Sequence, residues 1–132
     1  MNKKELLKLV DSLNLPLGEY YILSSGSLLL YGIRDEAGDL DLCVSEELFG
    51  KDLKERFHLS EADKNECGFY KISEKIEIVV NNKKDSKYKF EYDMVDGYPV
   101  QKLQSILESK KNSEREKDKI DVKNILKYLN EL

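Results

Sequence analysis

Histidine occurs once in the 132 residues, as His58, and cysteine twice, as Cys43 and Cys67. Two unpatterned cysteines make neither a metal knuckle nor a disulfide framework, so both are expected to be reduced and structural. The single histidine sits in ERFHLSEADK with no nucleophile motif beside it, which confines any Ser-His-Asp or Cys-His mechanism to that one residue. No run approaches the roughly 18 apolar residues of a membrane span. The opening MNKKELLKLV is charged and helical in pattern, without a signal peptide's apolar core and small-residue cleavage site. The expected location is therefore the cytoplasm, with no membrane partner. Repeats, low-complexity segments and linkers are also missing. The length suits one domain, 1–132, able to bury roughly two-thirds of the surface its unfolded chain exposes.

Charge, by contrast, is abundant: 36% of residues are charged against 40% hydrophobic, with a net charge of −4. The distribution is uneven. Residues 1–80 carry 10 Lys/Arg against 16 Asp/Glu, and residues 81–132 carry 12 against 10. A mildly basic C-terminal part favours an anionic ligand, while a general nucleic-acid binder would usually be more basic.

Apolar spacing predicts a helix over 2–13, carrying Leu6, Leu7, Leu9, Val10 and Leu13, stopped by Asn14, Pro16 and Gly18. EYYILS (19–24) reads as a strand and SLLLYG (27–32) as a short helix ended by Gly32. DLDLCVS (39–45) alternates strictly, with Asp39, Asp41 and Cys43 on one face and Leu40, Leu42 and Val44 on the other. Ser45 then caps an acidic helix over 46–57 that Gly50 weakens. Strands are expected over 68–73, 75–81 and 87–95, followed by helices from Pro99 (99–112) and over 114–132, the last presenting Ile120, Ile125, Leu126 and Leu129 on one face. The order is a mixed α/β, or α+β, single domain.

The aspartates carry the chemistry. Residues i and i+2 of a strand project from one face, so Asp39 and Asp41 can converge on one divalent ion. Mg²⁺ takes oxygen ligands and needs only one or two protein carboxylates, with phosphate and water filling the rest. Small residues before a helix, Gly26 and Ser27, let backbone approach a phosphate at the helix start. Glu77, set among Ile76, Ile78, Val79 and Val80, is a third carboxylate that faces either a site or solvent; Glu74 and Glu91 compete for that role. The plainer readings stand beside these. The Asp pair also fits a solvated strand end after Gly38, Gly26 and Ser27 an ordinary helix cap, and Arg34 a loop salt bridge. Arg115, Lys117, Asp118 and Asp121 fit an exposed helix with i,i+3 and i,i+4 charge pairs. Tyr20, Tyr21, Tyr31 and Tyr98 fit core positions.

The segment SGSLLLYGIRDEAGDLDLCVS resembles the signature of the polymerase-β-like nucleotidyltransferase superfamily: Gly-Ser, here 11 intervening residues, then Asp-Leu-Asp-Leu. It is most similar to small bacterial nucleotidyltransferase-like proteins of the abortive-infection and toxin–antitoxin kind, in which Gly-x-Arg precedes the Asp pair, as Gly32-Ile33-Arg34 does. GYPVQKLQSILESKKNSEREKDKIDVKNI resembles their C-terminal pattern, matching at Lys110, Arg115, Lys117, Asp118 and Asp121. The resemblance implies a nucleotidyltransferase fold: a short mixed sheet with helices mainly on one side and a helical C-terminus. It implies metal-dependent transfer of a nucleoside monophosphate from an NTP to a hydroxyl acceptor, which the sequence leaves open among a small molecule, a protein and an RNA end. Asp39, Asp41 and Glu77 would then be catalytic and would hold Mg²⁺ (two ions being possible, with Mn²⁺ as a substitute). Gly26, Ser27, Arg34, Lys110, Arg115 and Lys117 would contact phosphate or acceptor. The alternative is a weakly active or inactive relative that works as one half of a toxin–antitoxin or regulatory pair with a partner protein.

Overall fold

The computed structural model describes residues 1–81 and 90–131. Helix α1 (Lys3–Leu13) starts at a capping box, in which the Asn2 side chain accepts from the Glu5 amide and Glu5 reaches back to the Asn2 amide. It ends where Asn14 turns left-handed, at φ 51°. Strand β1 (Tyr20–Ile22) leads into α2 (Ser24–Tyr31), which Gly32 closes at φ 80°. Strand β2 (Leu40–Ser45) runs into α3, a helical stretch of Glu46–Leu48, a π turn Phe49–Leu53 and Lys54–Arg56. The Ser45 hydroxyl accepts from the Leu48 amide at 3.1 Å, as a cap should, and Gly50 falls in the π turn. Strands β3 (Phe69–Ser73) and β4 (Ile76–Asn81) follow, then β5 (Asp93–Val95), β6 (Tyr98–Val100), α4 (Leu103–Lys110) and α5 (Glu116–Asn130).

The strands form one six-stranded mixed sheet in the order β3-β4-β2-β1-β6-β5. β2 pairs parallel with β4 and antiparallel with β1, and β1 pairs parallel with β6. This is a mixed α+β fold. Its main core lies on one face, where Ile22, Leu40, Leu42, Val44, Ile76 and Ile78 meet Leu6, Val10 and Leu13 of α1 and Leu29 and Leu30 of α2. The opposite face carries Tyr21, Cys43 and Val79 under Phe69, Phe90 and Tyr92. Because strand side chains alternate, Asp41 and Glu77 project on that second face. A third cluster, Leu28, Leu103, Ile106 and Ile125, docks α4 and α5 against α2. Among the described residues no helix is long and apolar enough to cross a membrane.

Three expectations need correction. The helix expected from Pro99 begins at Leu103, and Pro99 lies in β6. The cause is the turn before it: Asp96 at φ 52° and Gly97 at φ 84° form the two-residue left-handed connection that matches strand twist, pairing Val95 with Tyr98 and Met94 with Pro99. The strand expected over 87–95 is described only from 90, and there it is confined to Asp93–Val95; residues 87–89 lie outside the described residues. On α5, Ile120 and Leu126 are 55% and 46% exposed, while the buried positions are Asp121 and Ile125. The helix turns a carboxylate inward because cations wait there.

Gly26 packs against the core. A Cβ on it would lie 2.7 Å from Ile22 Cγ2 and 3.3 Å from a Leu6 methyl. Alanine normally gains about 1 kcal/mol over glycine inside a helix. Here Gly26→Ala is expected to lose about 1–3 kcal/mol through overpacking, read as a lower urea midpoint; a raised midpoint would show that α2 yields.

Candidate functional site

Parallel pairing sets Asp41 of β2 directly opposite Glu77 of β4. Register partners on neighbouring strands leave the sheet about 4.8 Å apart on the same face. Asp39, just ahead of β2, is near enough for its charge to act on Asp41. Burial pushes the Asp41 carboxyl up to about 6, and the negative charges of Glu77 and then Asp39 push it the same way. Asp41 Oδ1 is buried without a hydrogen-bond partner among the described residues. The Asp41 carbonyl accepts from the Leu23 amide at 2.9 Å, which ties β2 to the entry of α2.

Asp39 and Asp41 border a cleft of about 560 Å³, shared with Ser24, Ser25, Arg34, Glu36, Lys110, Arg115, Lys117, Asp118 and Asp121. The fold thus brings the Asp pair and the distant C-terminal charge cluster to one place. Lys110 Nζ lies 2.8 Å from Asp118 Oδ1 and 3.1 Å from Asp121 Oδ2. Arg34 Nε lies 3.3 Å from Asp121 Oδ1, and Arg34 Nη1 donates to Ser25 Oγ at 2.8 Å. Hydrogen bonds from Lys110 and Ser113 hold the Asp118 carboxyl below its usual range. Arg115 and Lys117 stand exposed at the rim, Arg115 Nε being 3.9 Å from Asp118 Oδ2. Lys110 and Arg34 are therefore already paired, whereas Arg115 and Lys117 keep most of their donors for solvent or a ligand. Asp118 and Asp121, which also fit an exposed helix with charge pairs, brace the cleft's cations.

Other candidates fall elsewhere. Gly26 is buried, and the Ser27 hydroxyl donates to the Gln101 carbonyl at 2.8 Å, so neither side faces the cleft. The helix starts three residues earlier than its apolar run, and the serines of that first turn, Ser24 and Ser25, line the cleft instead. Glu77 is half-buried beside Asp41 and is not one of the lining residues. Its rivals Glu74 and Glu91 are exposed. His58 sits far along the chain at φ 52° and lines none of this cleft.

Among the described residues no group of three or more His, Cys, Asp or Glu is arranged to hold a metal ion by itself. Two carboxylates with an orphaned buried oxygen nevertheless fit a hard divalent cation, since Mg²⁺ draws its remaining ligands from water and phosphate. A second ion would need Glu77 to turn toward the cleft.

Fold and site together define an α+β domain with an acidic pair on the sheet and a braced cationic wall facing it. Compared with protein-family models, curated proteins and solved structures, the chain matches none.

Proposed function

We propose that the chain is a Mg²⁺-dependent nucleotidyltransferase with a nucleotidyltransferase fold, moving a nucleoside monophosphate from an NTP to a hydroxyl acceptor. The observation that carries this reading is the Asp41 carboxylate: buried, coupled to Asp39 and Glu77, lacking a donor on Oδ1, and bordering a cleft whose other side is cationic. Such a group lacks only a cation, and a cation there would meet phosphate on its far side.

Asp39 and Asp41 would hold Mg²⁺, which when bound supplies charge neutralisation at the phosphates. The chain's own residues do the positioning. Ser24 and Ser25 meet phosphate at the start of α2, and the Arg34 donors not used by Asp121 and Ser25 face the same charge. Arg115 and Lys117 guide the anion in from the rim. Glu77 stands beside Asp41 and outside the cleft lining, and would have to turn toward the cleft to take the proton of the acceptor hydroxyl. The acceptor oxygen bonds to the α-phosphorus, the α–β bridging bond breaks, and pyrophosphate leaves in line.

Calorimetry of the full chain with each NTP tests this. Saturable binding that requires Mg²⁺ and weakens at least a hundredfold in Asp39→Asn/Asp41→Asn is expected. Binding indifferent to the ion and to both substitutions would contradict it. A second reading, a weakly active or inactive member of a toxin–antitoxin or regulatory pair, draws on Glu77 standing off the cleft. It predicts partner binding that survives both substitutions.

A further inference from the structure

Ser24 holds a left-handed backbone, φ 48°, a region that non-glycine residues avoid. It opens α2 without help from its own cap: Leu23 offers no side-chain acceptor to the first turn. The Ser24 amide instead finds its acceptor 77 positions away, in Gln101 Oε1 at 2.8 Å. Gln101 is only 4% exposed, and each of its polar groups is used. Its side-chain amide donates to Ser105 Oγ at 3.0 Å, its carbonyl accepts from the Ser27 hydroxyl at 2.8 Å, and its backbone amide donates to the Ile22 carbonyl at 2.8 Å. The buried side chain thus joins the start of α2 to the start of α4, while the backbone of the same residue holds the end of β1 and Ser27.

Strained backbone persists only where the surroundings over-determine it, and it collects at sites that bind. The strained residue here lines the same cleft as Asp41, whose Oδ1 has no hydrogen-bond partner among the described residues. We propose that Gln101 is a positioning residue for the cleft: it holds Ser24 left-handed, and with it sets Ser24 and Ser25 to receive the triphosphate. This inference rests on the nucleotide reading above. Gln101 touches no substrate and acts through Ser24.

The test uses the full chain and Mg²⁺ with inorganic tripolyphosphate, which avoids the unassigned base. Gln101→Met removes both polar ends at nearly constant volume. It is expected to weaken binding at least tenfold and to speed amide exchange at Ser24 at least tenfold. Gln101→Glu keeps the acceptor for Ser24, so amide exchange at Ser24 should stay near wild type. In a Ser24→Gly background, adding Gln101→Met should weaken binding by less than threefold, because glycine takes this φ unaided; a general packing role for Gln101 would weaken binding as much there as in the wild-type background. Should Gln101→Met fail to fold, Gln101→Asn carries the same test, since it withdraws the acceptor but stays polar. Unchanged binding in Gln101→Met, or an equal loss with and without Ser24→Gly, overturns the proposal. A wild-type chain that binds neither tripolyphosphate nor any NTP sinks the nucleotide reading instead. Exchange at Ser24 then judges Gln101 alone, and an unchanged rate in Gln101→Met overturns its hold on Ser24.

Discussion

Asp41→Asn is expected to abolish Mg²⁺-dependent triphosphate binding and, at neutral pH, to make the fold more stable. The two effects have one cause. Burial and two neighbouring carboxylates push the Asp41 carboxyl from 3.8 up to about 6. The folded chain therefore holds this proton more tightly than the unfolded chain does. As pH rises from about 4 to about 6 the unfolded state loses its proton first, so stability falls across that window and levels off above it. A shift of about two units corresponds to a cost on the order of 2–3 kcal/mol at pH 7. Asparagine keeps the shape and removes the charge, so its melting temperature should exceed wild type by several degrees at pH 7.5. At pH 4, where Asp41 is protonated in the fold, the difference should nearly vanish. The same charge is what a metal ion would use, so triphosphate binding by the wild type should weaken as pH drops below about 6. A variant that loses binding and stability together at neutral pH would show that Asp41 has a donor and is not waiting for a cation.

Asp121→Ala is expected to produce the largest loss of stability of any single change at the cleft, about 3 kcal/mol in urea unfolding, because it strips a buried carboxylate from two cations at once. The Asp121 side chain is 3% exposed and lies between Arg34 Nε and Lys110 Nζ. Lys110 retains Asp118, which limits the damage, but Arg34 loses its only ion-pair partner among the described residues. Lys110→Met should cost less, since it replaces a paired charge with packing volume. A double-mutant cycle on Lys110 and Asp121 should show a coupling of about 1 kcal/mol or more. Asp121→Ala that unfolds like wild type would demote the network to a surface feature. The substitution should also weaken triphosphate binding, because Arg34 would then be held by Ser25 alone.

The acidic half of the site was legible because strand chemistry is local. Strict alternation from Asp39 to Ser45 sets which side chains share a face, and the structure keeps Leu40, Leu42 and Val44 fully buried on the other. Which of Glu77, Glu74 and Glu91 stands beside Asp41 depends on strand register, which no local pattern contains; the parallel pairing of β2 with β4 puts Glu77 there. Gly26 and Ser27 drew attention because they satisfied a motif, while the helix begins at Ser24 and its first two serines line the cleft. The only local sign was a run of small residues, and the deciding partner, Gln101, is far away in sequence. On α5, periodicity pointed Ile120 inward, but two cations from elsewhere in the chain drew Asp121 into that interior instead. The hairpin before Pro99 could have been found, since Asp-Gly between Val95 and Tyr98 is the strongest short-range signal for a two-residue turn.

The most direct test of the central claim is a ¹⁵N NMR titration of the wild-type chain with Mg²⁺ and an NTP, repeated on Asp39→Asn/Asp41→Asn. The account predicts ion-dependent shifts at Ser24, Ser25, Asp41 and Arg115 that disappear in the variant. Shifts that ignore Mg²⁺, or that cluster around Tyr21 and Cys43 and leave the cleft silent, would contradict it.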